Sequence, residues 1–155
     1  MSNDPATFEQ NGLYILVSNI NKVRQYHWSL YLATARDKGR IFHMVNSIET
    51  NYQWRYRSYM SANVPKSKTL IVAVRITVMD PVLHGPLGDR LEAVSTEPPI
   101  SRLVWLRRAL KDLDDEGFIK LLAKMDEIEL DAEMMAEDNL EHQKRSVEKC
   151  NYSAV

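Results

Sequence analysis

The sequence predicts an α+β protein: an antiparallel sheet of five or six strands, one helix packed on it, and a long acidic helix at the C-terminal end. Up to residue 78, apolar residues alternate with polar ones or form short β-branched runs, which is typical of strands. From residue 101 the apolar spacing approaches the 3.6-residue period of an amphipathic helix. From Asp126 the pattern becomes acidic, with nine acidic residues against three basic ones up to Lys149.

Four stretches predict strands by their period-two alternation or their β-branched content. In chain order they are residues 13–17, 25–32, 40–45 and 69–78. The turn Asp37-Lys38-Gly39 is typical of a hairpin between the second and third of them. Residues 79–88 contain two prolines and two glycines and predict a loop that could act as a flap. Residues 91–94 form a short element after it.

Two helices are predicted in the second half of the chain. Ser101 is a suitable N-cap for a helix that runs to Leu113, and Gly117 ends it. A second helix begins near Phe118 and is expected to reach Lys149. Because its later half has few large apolar residues, that half is expected to be solvated, frayed or a partner surface.

The chain of 155 residues has an ordinary globular composition, with 45% hydrophobic and 26% charged residues. We expect a loose N-terminal arm (residues 1–11), a single α+β domain (12–125) and an acidic helical extension (126–155). A homodimer through the C-terminal helix is one possible assembly.

Several functional classes are disfavoured by composition. The net charge is −1 and the basic residues form no stripe, so nucleic-acid binding is not expected. No apolar run is long enough to span a membrane, and we expect a cytoplasmic protein. Cys150 is the single cysteine, which excludes an internal disulfide framework and a cysteine-rich zinc site. No glycine-rich nucleotide motif and no metal-ligand spacing is present, so neither a cofactor nor a metal is expected.

The second strand carries the best candidate residues. With period two, His27, Ser29 and Tyr31 share one face of residues 25–32, and such a polar line either faces solvent or lines a pocket. An imidazole exchanges protons near neutral pH, which makes His27 a candidate acid or base; the alternative is a structural histidine bonded to backbone. His43 on the neighbouring strand could lie close to it, although sequence does not fix the register.

Three further side chains are candidate substrate-binding groups. Trp54 and Tyr56 belong to an aromatic cluster that could line an apolar site, although packing at a sheet edge is the commoner role. Arg75 lies within the most apolar strand, where it would either pair with a carboxylate or hold an anion.

A family resemblance rests on short motifs between residues 12 and 120. In these motifs the chain resembles a set of small uncharacterised fungal proteins. The motifs are, in order, Y-H-W-S-L-Y-L, G-R-I-F-H-M-V-N, L-E-A-V-S and R-L-V-W-L-R-R-A-L-K-D-L-D-D-E-G-F-I. Their order of strands and helices is similar to circularly permuted papain-like domains of the lecithin:retinol acyltransferase-like group. The resemblance implies that His27 is a general base and that a cysteine at the start of the later helix is the nucleophile. Here Ser101 and Arg102 stand at that place.

Three functions remain open. The first is a cysteine-less papain-like domain that binds a small, largely apolar metabolite and, if it is an enzyme, performs a non-covalent cyclisation or isomerisation of fungal secondary metabolism. The second is an acyl hydrolase or transferase that uses Ser101 with His27. The third is a non-catalytic interaction module that binds a protein partner through the acidic helix.

Overall fold

The computed structural model describes residues 5–23 and 25–154. Five strands come first: β1 (Gly12–Lys22), β2 (Gln25–Ala33), β3 (Gly39–Val45), β4 (Arg55–Ser61) and β5 (Leu70–Val78). Then follow α1 (His84–Glu92), α2 (Arg102–Asp115), β6 (Lys120–Leu121), α3 (Met125–Glu141), β7 (Ser146–Lys149) and β8 (Ser153–Ala154). The α+β class is confirmed.

The main sheet has six strands in the order β4-β3-β2-β1-β5-β7. Strands β1 to β5 pair antiparallel, whereas β7 pairs parallel to β5. The prediction of an antiparallel sheet was therefore wrong, and the sheet is mixed. The connection from β5 to β7 contains all three α-helices and is long enough to return the chain to the same end of the sheet, which parallel pairing requires.

The second predicted helix, residues 118–149, is divided. Residues 120–121 pair with β8 in a small separate sheet, α3 ends at Glu141, and residues 146–149 form β7. The short polar sequence of β7 has no clear period and therefore gave no strand signal. The predicted loop at 79–88 is also partly helical, because Pro81 and Pro86 each lie near the start of a helical turn, where a missing N–H costs little.

One face of the sheet is covered by the three helices. These helices bury large side chains against apolar residues of β1, β2 and β5, among them Leu91, Trp105, Leu110 and Ile128. Helix α3 belongs to this core, since its Ala132 and Ala136 are buried too. None of the helices in the described ranges has the length and apolarity needed to cross a bilayer.

In the described part of the chain, none of the three α-helices lies over the opposite face of the sheet, where a short 3-10 turn contributes Val64. At one end it is covered by residues 5–10, the described part of the predicted arm; residues 1–4 lie outside the described residues. The Phe8 ring is 1% exposed and packs edge-on against Tyr14 and Tyr31, with ring centroids 4.9 and 5.0 Å away. The Tyr14 hydroxyl accepts a hydrogen bond from the Glu9 backbone N–H at 2.9 Å, and Glu9 pairs with Arg75. The other end of this face is left open.

Replacing Phe8 by alanine tests whether this segment is part of the folded core. Since the ring is fully buried between two tyrosines, we expect Phe8→Ala to lower the free energy of unfolding by about 3 kcal/mol or more in urea denaturation. The neighbouring exposed Gln10→Ala should change it by less than about 0.5 kcal/mol. Equal, small effects of both substitutions would mean that the arm is loose, as the sequence suggests.

Candidate functional site

Two histidines meet on the open face of the sheet. The ladder between β2 and β3 pairs Leu30 with Phe42, and continuing that register places Ser29 opposite His43 and His27 one diagonal step away. His27 Nε2 lies 3.1 Å from His43 Nδ1, and the two rings are nearly parallel, with an interplanar angle of 29°. The sequence placed both histidines on strands, and the structure brings them into one hydrogen-bonded pair.

The bond between the rings limits how the pair can carry protons. A neutral imidazole has one N–H and one lone pair, so a single proton lies between the two facing nitrogens. Of the two outer nitrogens, His27 Nδ1 and His43 Nε2, one must then be a donor and the other an acceptor. These roles are exchanged only when the shared proton crosses while one outer nitrogen releases its proton and the other takes one up. His43 Nε2 is buried and has no hydrogen-bond partner among the described residues.

Both histidines are held neutral. Burial lowers the pKa of His27 to about 4, with further lowering from the positive charge of Arg102 and from His43. Burial and then Arg102 lower the pKa of His43 to about 4 as well. At pH 7 the pair therefore offers neutral hydrogen-bonding groups and no charge.

The pair lies in the wall of an open cavity of about 340 Å³, the histidine cavity. Its remaining walls are apolar side chains and short polar groups from strands β1 to β5 and from the segment before β5. These are Leu16, Ser18, Asn19, Ile20, Ser29, Ile41, Tyr59, Val64, Ser67, Thr69 and Leu70. The volume is in the range of small-molecule sites.

Three of the predicted site residues, His27, Ser29 and His43, line this cavity. Tyr31 shares their strand face but is 0% exposed beneath Phe8, and burial raises the pKa of its phenol to about 12. Ser101 is the N-cap of α2: its Oγ accepts the Val104 N–H at 3.1 Å. It lines a different cavity, and no hydrogen bond joins it to His27.

The predicted substrate-binding groups other than Ser29 and His43 are spread over the molecule. Trp54 lies with Ser101 in a cavity at the start of α2, and Tyr56 lies against Trp105 on the helical side. Arg75 is paired with Glu9 under the N-terminal segment. Cys150 is buried and its sulfur accepts the Tyr152 backbone N–H.

Three residues around the histidine pair were not predicted from the sequence: Tyr59, which lines the histidine cavity, and Arg57 and Arg102, which line a neighbouring cavity. Arg57 and Tyr59 project to the open face from β4, and the alternation of that segment was the available signal. For Arg102 the available signal was its place in a predicted helix. A cation in the first turn of a helix is unfavourable because it opposes the helix dipole, and this first turn has no acidic residue.

In the described ranges, the residues with the mutual spacing of metal ligands are Asp138, Glu141 and His142, exposed near the end of α3. None of them lines the histidine cavity. Comparisons of the chain with protein-family descriptions, with curated proteins and with solved structures found no match.

The lowered pKa values predict an acid sensitivity that depends on the histidine pair. In the unfolded chain each histidine binds a proton below about pH 6.5, whereas in the folded chain it does so only below about pH 4. Stability should therefore fall as the pH drops from 6.5 to 4, by roughly 2 kcal/mol per histidine at pH 5 as an upper bound.

The measurement is urea denaturation at pH 7 and pH 5. The double variant His27→Gln/His43→Gln should lose clearly less stability between the two pH values than the wild type. His142→Gln, an exposed residue on α3, is the control for removing a histidine. A double variant with the wild-type pH dependence would show that the pair is not held neutral.

Proposed function

We propose that the protein binds a small, largely apolar molecule in the histidine cavity and that any reaction there is a non-covalent isomerisation or cyclisation. The observation that carries this proposal is the neutral, hydrogen-bonded pair of His27 and His43 in the wall of a small-molecule-sized cavity. One donor and one acceptor in fixed relation suit a ligand with a carbonyl or hydroxyl group.

The walls favour a mainly apolar ligand with a few polar groups. Leu16, Ile41, Val64 and Leu70 contribute aliphatic surface, and Ser18, Ser29, Ser67 and Thr69 contribute hydroxyls. Such a mixture is typical of sites in which apolar contact supplies affinity and a few polar groups set orientation.

The electrostatics favour binding and orientation over strong base catalysis. General-base catalysis is most effective when the pKa of the base lies near the working pH. A histidine whose pKa is about 4 is a weak base at pH 7, although it remains a good hydrogen-bond partner. A reaction promoted by holding the substrate in its reactive shape, assisted by these hydrogen bonds, fits this arrangement better than removal of a tightly held proton.

Serine-dependent acyl transfer has less support. A nucleophilic serine needs a base within hydrogen-bond reach, and Ser101 Oγ is instead engaged with the Val104 N–H. The interaction module keeps one supporting observation, since Leu130 and Met134 on α3 are 56% and 62% exposed, one turn apart.

A matched pair of tryptophan substitutions tests the cavity. Thr69 lines it and is exposed, so Thr69→Trp should block the opening, whereas the adjacent exposed Lys68 does not line it. With a panel of small neutral ketones and alcohols observed by NMR, we expect shifts at His27 and a loss of affinity of tenfold or more in Thr69→Trp. Lys68→Trp should bind as the wild type does. Binding that ignores Thr69→Trp, or no binding from the whole panel, would contradict the proposal.

Ser101→Ala separates the capping role from the nucleophilic one. As an N-cap, Ser101 should contribute about 1 kcal/mol to the free energy of unfolding, measured by urea denaturation. A serine-directed fluorophosphonate should leave the folded wild type unlabelled. Labelling at Ser101 that disappears in His27→Ala would instead support acyl transfer.

A further inference from the structure

A second cavity of about 370 Å³ adjoins the histidine cavity and shares His43 and Tyr59 with it. Its lining is more polar than that of the histidine cavity and contains two arginines. The lining residues are His43, Val45, Asn46, Ser47, Glu49, Thr50, Arg57, Tyr59 and Arg102. We call it the arginine cavity.

Arg102 is in an energetically unfavourable position. It is partly buried, burial lowers its pKa, and its Nε is buried without a hydrogen-bond partner among the described residues. It also lies in the first turn of α2, where the helix dipole repels a cation. The contact that offsets these costs is with Trp54, whose ring centre lies 5.2 Å from the guanidinium carbon.

Three other arginines pair with carboxylates, whereas Arg36, Arg40, Arg55 and Arg108 form no ion pair with the described residues. Arg75 pairs with Glu9, Arg90 with Asp112 and Glu116, and Arg107 with Asp126 and Glu129. Within residues 5–23 and 25–154, neither Arg57 nor Arg102 has a carboxylate within ion-pair distance. Arg57 is exposed to solvent, whereas Arg102 is partly buried. A partly buried guanidinium without a counter-ion is uncommon, because desolvation of its charge is left uncompensated.

The two arginines and His43 face the same space. Arg57 lies directly opposite His43 in the β3–β4 ladder. His43 itself is 7% exposed, and its Nε2 is the unpartnered nitrogen. Glu49, which is exposed, is the one carboxylate in the lining. At pH 7 the lining therefore carries two positive charges and one negative charge.

We propose that the arginine cavity binds an oxyanion, the carboxylate or phosphate group of the ligand whose apolar part occupies the histidine cavity. Guanidinium groups offer paired N–H donors that match the oxygens of either anion. The donor that His43 can present at Nε2 suits the same group. This inference rests on the proposed function, and it narrows the ligand to an anionic amphiphile.

Three probes distinguish the chemistry: benzoate, benzyl alcohol and inorganic phosphate. Benzoate and benzyl alcohol have nearly the same shape and differ in charge. Affinity is measured by NMR titration, with the side-chain resonances of His43 as the local reporter. We expect benzoate to bind at least about tenfold more tightly than benzyl alcohol, the factor for one charge-assisted hydrogen bond. Phosphate binding as tightly as benzoate would identify a phosphate site, and weaker phosphate binding a carboxylate site.

Variants locate the anion. Arg102→Gln should weaken benzoate binding tenfold or more and leave benzyl alcohol unchanged, whereas Arg102→Lys should weaken it less because the charge remains. Arg57→Gln should act in the same direction. Glu49→Gln should strengthen benzoate binding, since it removes a repelling charge. Arg55→Gln is the matched control, as Arg55 is a nearby cation on β4 outside the lining. Circular dichroism verifies that each variant folds.

The outcomes separate this inference from the proposed function. Equal affinity for benzoate and benzyl alcohol, both lost in Thr69→Trp, would overturn the oxyanion site and retain the histidine cavity. Benzoate binding that is indifferent to Arg102→Gln, or as sensitive to Arg55→Gln, would overturn it as well. The absence of any benzoate or phosphate binding would also overturn it, whatever the neutral probes do.

Discussion

Both faces of this sheet carry apolar side chains that must be buried, and the three α-helices pack on only one face. The three helices bury the face that carries Trp28 and Leu30. On the other face, residues 5–10 cover the end that contains Tyr14 and Tyr31, the turn at Val64 packs beside them, and the part that carries His27 stays open. The histidine cavity is the uncovered part of that face. Its position therefore follows from how the sheet is packed. The segment that buries Tyr31 does not extend over His27, which lines the cavity.

In the candidate site, the neutral state of the two histidines and the positive charge of Arg102 are linked. The histidines are neutral because they are partly withdrawn from water and lie near the positive charge of Arg102. Arg102 in turn has Trp54, and no carboxylate in the described part of the chain, as its partner. A carboxylate next to the guanidinium would offset its positive charge. Two unionised imidazoles instead leave the positive charge available to a ligand, which is a less stable arrangement for the free protein.

The sequence predicted the strands well and the site in part. Period two placed His27 and Ser29 on one face of their strand, because alternation fixes the faces of a strand whatever its neighbours are. It left open whether His43, on the next strand, lies on the same side of the sheet. The distance between the two histidines depends on the pairing of β2 with β3, which alternation does not determine. Alternation also grouped Tyr31 with His27. It could not show that Phe8, which is far away in sequence, covers Tyr31. The parallel strand β7 and the placement of Arg102 arise from tertiary packing and had only weak local signals. The resemblance to papain-like domains stays an expectation, since no comparison tests it.

An anionic ligand and a neutral ligand of the same shape would affect the histidine pair differently. Either one removes water from the cavity, and this desolvation lowers the pKa of both rings further. An oxyanion next to Arg102 also offsets the guanidinium charge, and this second effect raises the pKa of the same rings. The pKa of the rings thus differs between the two complexes only by the effect of the ligand's charge. This effect is larger at His43, because His43 lines both cavities. A site arranged in this way makes the histidines better bases with the anionic ligand than with its neutral counterpart, so the ligand that fills both cavities also prepares the group that could act on it.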